Sequence, residues 1–151
     1  MIRMRPLLAN DDLELEQLAR AAKDEGFAFV QRLRSELETG SVERDGQRSF
    51  FIVIESESRV IGVGGVTPDP YIATPDVGRV RHVYIAPAFR NQGLGQQLVA
   101  ALELCAAKQY KNLRLRTDTL AAARFYERAG YTPVEEESAT HRKQLHPDRR
   151  N

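Results

Sequence analysis

The sequence predicts one domain of the α/β or α+β class, on three observations. The chain has 151 residues, close to the length of one typical domain. Strand-like and helix-like segments alternate along it. Hydrophobic residues are 42% and charged residues 28%, the balance of a globular domain with enough apolar surface for a core. No internal repeat or low-complexity run divides it.

The elements follow in order. Ile2 to Leu7 reads as a short first strand. Asn10 or Asp11 is placed to cap a helix over Leu13, Leu15, Leu18, Ala19 and Ala22. A second helical stretch runs from about Phe27 to Leu37, with Phe29, Val30, Leu33 and Leu37 on one side, and stops at Thr39-Gly40. The β-branched runs Phe50–Ile54 and Val60–Val66, joined by the polar turn Glu55–Arg59, predict a hairpin. Three prolines in Thr67–Asp76 break the sheet. Arg79–Ile85 is a fourth strand, but Val80, Val83 and Ile85 do not alternate strictly, and a bulge between Val80 and Val83 accounts for the shift. Pro87 ends it for want of an N–H. Leu94 to Lys108 is the clearest helix, with Leu94, Leu98, Ala101, Leu102 and Cys105 at helical spacing. Leu113–Thr117 is a strand and Ala121–Ala129 a helix stopped by Gly130. Val134–Glu136 and Arg142–Leu145 read as two last strands. The domain then spans 1–145, and 146–151 is a polar tail.

Composition excludes several classes. A formal net charge of +1 gives no broad positive field, which argues against a nucleic-acid partner. A single cysteine forbids an internal disulfide and fits a reducing compartment. Cys105, among Leu98, Leu102 and Ala106, reads as a small buried hydrophobe and not a nucleophile. No run of about 18 apolar residues is present to span a membrane. The start, Met1 to Leu8, lacks the apolar core and cleavage site of a signal peptide, so the expected location is cytoplasmic.

The informative element is Arg90-Asn91-Gln92-Gly93-Leu94-Gly95-Gln96, between a strand and a helix. Two glycines let the backbone approach a ligand, and the helix N-terminus favours an anion. Arg90 adds a charge and a forked donor. The physical reading is a pyrophosphate cradle; a tight turn that packs helix on strand is the alternative. Two other phosphate loops fail. A Walker A loop needs Lys after its last glycine, and Gln96 stands there. A dinucleotide fingerprint needs a small residue where Leu98 stands.

The run Val83 to Gly95 resembles the acetyl-CoA motif of the GNAT superfamily of N-acetyltransferases, whose core is Gln/Arg-x-x-Gly-x-Gly/Ala. Ala122-Ala123-Arg124-Phe125-Tyr126-Glu127-Arg128-Ala129-Gly130-Tyr131 is similar to the same family's A-x-x-F-Y-E-x-x-G-F segment. Order, spacing and flanking elements agree over about residues 50–135. The resemblance implies a single α/β domain with a mixed, largely antiparallel sheet flanked by helices. It implies transfer of an acetyl group from acetyl-CoA, as cosubstrate, to a primary amine of a small molecule, amino acid, or protein or peptide, with no metal. Homodimers are common in the family. A CoA-binding sensor without turnover is one rival. Acetylation of aminoacyl-tRNA is another; it needs a basic face, for which Lys108, Lys111, Arg114 and Arg116 are the dense cluster.

Residue by residue, the resemblance implies that Val83, Tyr84 and Ile85 offer backbone groups to the pantetheine arm, as an open strand edge can. Arg90, Asn91, Gln92, Gly93, Leu94, Gly95 and Gln96 would hold the pyrophosphate, and Phe125 would line the cofactor. Thr119 stands where the family often has an Asn that bonds the pantetheine. Tyr126 falls on the general acid that protonates the leaving thiolate. Arg79 stands where many members have a glutamate base, and an arginine cannot accept a proton. Asp76 and His82 are substitutes by proximity. Arg79 would favour an acceptor with a carboxylate or phosphate; the competing reading pairs it with Asp76 or another carboxylate. Phe27, Phe29, Arg32, Tyr71, Arg79 and His141 are the acceptor-site candidates, with Phe29, Tyr71 and Arg79 preferred.

Overall fold

The computed structural model describes residues 1–40 and 47–145, so the expected tail over 146–151 lies outside the described residues. Strand β1 (Ile2–Pro6) leads through a short turn to α1 (Asp12–Asp24) and α2 (Phe29–Thr39). The hairpin β2 (Phe50–Ser56) and β3 (Arg59–Pro68) turns at Glu57-Ser58, both with positive φ. Then come β4 (Val77–Ile85), α3 (Leu94–Ala106), β5 (Asn112–Leu115), α4 (Leu120–Arg128), β6 (Thr132–Pro133) and β7 (His141–Gln144). The sixth strand is therefore two residues earlier than expected: Val134 leaves the ladder but still donates its N–H to Thr140 O at 2.8 Å. Asp11 precedes α1 without capping it; its buried carboxylate instead accepts from Leu8 N at 2.7 Å and from Arg5 at 2.8 and 2.9 Å.

The strands form one sheet in the order β1-β2-β3-β4-β5-β7-β6. Neighbours are antiparallel except β4 and β5, which run parallel. Alternation along β2 separates two cores. Phe51 and Val53 join Leu15, Leu18, Val30 and Leu33 beneath α1 and α2. Phe50, Ile52 and Ile54 face Leu98, Leu102 and Tyr126 beneath α3 and α4. On α3 the buried stripe is Leu94, Leu98, Val99, Leu102 and Ala106. Cys105 is exposed, which corrects the expectation. The stripe advances by fours, and Cys105 sits about 100° around the helix from Ala106.

Two irregularities position the site. β4 pairs with β5 only over Val77–Arg79 against Asn112–Arg114, so beyond Arg79 the two parallel strands separate. And β4 carries the expected bulge: Val63 faces Tyr84 and Gly65 faces Arg81, leaving Gly64 opposite both His82 and Val83. His82 has φ +60°. Strict alternation would put His82 on the side of Val80, in the α3 core; the extra residue turns it to the α2 side beside Arg81.

Candidate active site

Where β4 leaves β5, the edge over Val83, Tyr84 and Ile85 has no strand beside it. The chain then turns through Pro87–Phe89 into α3. Gly93 caps α3 in the left-handed region at φ +80°, and Asn91 is also left-handed at φ +64°. The consecutive N–H groups from Asn91 to Gln96 find no acceptor among the described residues; the first bonded amide is Gln97, to Gly93 O at 3.1 Å. A run of free amides at a helix N-terminus is an anion site by geometry and by dipole. Gly95 is there for close packing: a Cβ would lie 3.0 Å from the Phe125 ring and 4.0 Å from Ile85. Thus the start of α3, Phe125 of α4 and Ile85 of the open edge converge at one mouth.

Arg90 is already engaged. Its Nη1 and Nη2 donate to Glu25, at the end of α1, at 2.7 and 2.6 Å, and its Nε donates to Ile85 O at 2.9 Å. It lies 5.2 Å over the Tyr84 ring, and the Tyr84 hydroxyl donates to the same carboxylate at 2.5 Å. The bonds from Arg90, then Tyr84, hold the Glu25 carboxyl below its usual range. Burial, then the bond to Glu25, pushes the Tyr84 phenol up. Sequence reasoning missed Glu25, because nothing local marks a helix-end carboxylate for a partner 65 positions away.

Tyr126 is 8% exposed and packs edge-on against Phe125 and Tyr131, at 5.0 and 5.4 Å between ring centres. Its hydroxyl bonds to no group among the described residues, and burial raises its pKa, so it keeps its proton at neutral pH. Thr119 caps α4: its Oγ1 accepts from Ala122 N at 3.1 Å.

The α2 side of β4 is lined with charge. Arg79 bonds Asp69 Oδ2 at 3.4 Å and Ser138 O at 2.8 Å, and lies 4.9 Å over the exposed ring of Tyr71. Its carboxylate is therefore Asp69 and not Asp76. Asp69, with its side chain 0% exposed, also takes Arg114 at 2.9 Å, and Arg114 reaches Glu136 and Ser138 Oγ at 3.2 and 2.6 Å. Desolvation leads in lowering the Arg79 pKa. Farther along, Glu36 of α2 meets Arg81 at 3.4 Å and His82 at 3.1 Å. Phe29 packs on Phe27 and on Tyr84, 6.0 Å from the latter. Tyr71 and Arg79 are thus together, with Phe29 at a separate station on the same strand face. Arg32 is exposed on α2. His141 is buried between Thr140 and Glu127, 2.9 Å from each, and ties β7 to α4. With Arg114 buried and Arg116 3.7 Å from Asp118, the basic cluster over 108–116 makes no continuous basic face. Among the described residues no cluster of His, Cys, Asp or Glu is arranged to hold a metal, and no helix is long and apolar enough to cross a membrane.

A family model described as an acetyltransferase (GNAT) domain matches residues 47–133. No curated protein matches the chain. Among solved structures, a protein from Exiguobacterium sp. 255-15 assigned to the acetyltransferases is 26% identical, with TM-score 0.80, over 95% of this chain and 93% of that one. The PaiA N-acetyltransferase of Thermoplasma acidophilum, solved with coenzyme A, is 17% identical with TM-score 0.74, over 96% and 99%. The N-acetylglutamate synthase of Neisseria gonorrhoeae, solved with coenzyme A and N-acetyl-glutamate, is 19% identical with TM-score 0.74; 97% of this chain covers 35% of that one. These last two share the fold.

Proposed function

Because the chain belongs to the GNAT acetyltransferase family, whose members are acyl-CoA-dependent N-acetyltransferases, we propose that it moves the acetyl group of acetyl-CoA to a primary amine of a small molecule, amino acid or protein. The observation that carries this reading is the pairing of six free amides over Asn91–Gln96 with an open strand edge over Val83–Ile85. The amides take the pyrophosphate. The edge takes the amide-bearing pantetheine arm as an added strand. Phe125 walls the mouth, and the Thr119 hydroxyl, which only accepts within its own helix, retains a proton to donate. Arg90, gripped by Glu25, braces the loop against the end of β4 through its Nε–H bond to Ile85 O.

With the thioester seated beside Tyr126, the amine lone pair attacks its carbonyl carbon. The tetrahedral intermediate collapses, the C–S bond breaks, and the thiolate takes the Tyr126 proton. Tyr126 suits this role because its O–H is committed to no protein acceptor. Arg79 keeps its Nε–H without an acceptor among the described residues, a donor for a carboxylate or phosphate on the acceptor.

The test is release of CoA thiol from acetyl-CoA with a panel of amines that pairs amino acids with their decarboxylated counterparts. Amine-dependent release with stoichiometric N-acetyl product is expected. Tight acetyl-CoA binding with no turnover across a broad panel would favour a CoA sensor. A preference for amino acids that Arg79→Ala abolishes would assign Arg79 to the acceptor's carboxylate.

A further inference from the structure

We propose that Glu25 is a positioning residue for acetyl-CoA: through Arg90 it keeps the Ile85 carbonyl bonded, and so sets how the pantetheine arm joins the open edge of β4. The proposal rests on the acetyltransferase reading above.

The register shows which groups of β4 meet the arm. Ala86 N donates to Ile61 O at 2.8 Å, and Tyr84 stands opposite Val63, two residues away on each strand. In an antiparallel ladder such pairs turn their N–H and C=O toward each other, and the residue between them turns both groups outward. Ile85 is that residue, and it faces the side that β5 has left. Its carbonyl is already bonded, because Arg90 Nε donates to it at 2.9 Å. An arm laid along this edge therefore takes a bond from the Ile85 N–H and does not exchange a pair of bonds with Ile85.

Arg90 stays on that carbonyl because Glu25 grips its other end. The guanidinium is a planar fork of five N–H donors. Nε is committed to Ile85 O, and Nη1 and Nη2 to the two oxygens of Glu25 at 2.7 and 2.6 Å. An arginine without such a grip loses rotamer freedom to hold one place. The Tyr84 ring lies 5.2 Å from the guanidinium, and its hydroxyl donates to Glu25 Oε1, which closes the clasp from β4. The bonds from Arg90, then Tyr84, hold the Glu25 carboxyl below its usual range, so it is charged at neutral pH. Glu25 ends α1, and Gly26 at φ +90° turns the chain away beyond it. The ion pair is neutral and its terminal nitrogens are turned to α1. Arg90 thus serves the arm, and the six amides of the loop serve the pyrophosphate.

The experiment pairs calorimetry of acetyl-CoA with kinetics, for wild type, Glu25→Ala, Glu25→Gln, Arg90→Ala and the double variant Glu25→Ala/Arg90→Ala. Glu25→Ala should raise the acetyl-CoA Kd about tenfold or more, with kcat at saturation within a few-fold. Glu25→Gln, which keeps an acceptor oxygen for one Nη, should raise it less. In the Arg90→Ala background, Glu25→Ala should add no further loss. S-acetyl-pantetheine carries the arm without the pyrophosphate, and its kcat/KM should fall by the same factor as that of acetyl-CoA. A loss confined to acetyl-CoA, or tighter binding in Glu25→Ala, would assign Arg90 to the pyrophosphate and overturn the proposal. Unchanged binding overturns it too, as does an equal further loss in the Arg90→Ala background, which would make Glu25 a prop of the fold. Failure of wild type to bind acetyl-CoA would instead refute the acetyltransferase reading. Binding without turnover would also refute that reading, and the calorimetric comparison would still decide the role of Glu25.

Discussion

Tyr126→Phe separates chemistry from stability. The ring is packed between Phe125 and Tyr131 and is retained. The hydroxyl bonds nothing among the described residues, so its removal breaks no protein hydrogen bond. Folding stability should therefore stay within about 1 kcal/mol of wild type. The rate should change far more. If Tyr126 protonates the thiolate, kcat falls about 10²-fold or more, while acetyl-CoA affinity stays within a few-fold. Single-turnover kinetics isolate the chemical step, and thermal denaturation reports stability. An unchanged chemical rate would return Tyr126 to a packing role. A marked loss of stability would mean that the hydroxyl has a structural partner, and the reasoning would fail at its first step.

Three further outcomes follow from the same geometry. A methyl at Gly65 would lie 2.1 Å from the buried Phe51 ring, so Gly65→Ala should lower stability by about 1–3 kcal/mol in a thermal or urea melt. Arg90→Ala frees Glu25 and the Ile85 carbonyl and removes a charge beside the amide loop; calorimetry should find acetyl-CoA affinity reduced by about 1–3 kcal/mol. His82 has a folded pKa below its unfolded value, so the unfolded chain binds the extra proton. Its contribution is intact above about pH 6.5 and is lost as pH falls through the folded value. Melting curves should show wild type losing more stability in mild acid than His82→Asn.

Local features were legible in the sequence. Helix periods, the hairpin, the Gly130 stop and the bulge in Arg79–Ile85 are written in neighbouring residues, and the glycine loop before α3 marks its own conformation. What escaped depends on distant partners. Whether Arg79 meets Asp76 or Asp69 is decided by the path of the proline-rich loop over 67–76, which no periodicity encodes. Glu25, Glu36 and Asp69 became site residues only when β4 brought Arg90, His82 and Arg79 to them. Cys105 fits a seven-residue spacing from Leu98, and only the angle at which α3 lies on the sheet puts Ala106 inward instead. The separation of β4 from β5, which opens the site, is a property of the sheet and has no signature in either strand.

The central claim is that the Asn91–Gln96 amides bind the pyrophosphate of acetyl-CoA. Gly93→Ala tests it most directly. A methyl there meets only Gln97 Nε2, at 3.9 Å, so the cost to folding is the left-handed backbone alone, about 1–2 kcal/mol. Calorimetric titration of acetyl-CoA into the folded variant should find binding lost or weakened at least tenfold, with wild type binding at one site per chain. Wild-type affinity in the variant would contradict the assignment of this loop.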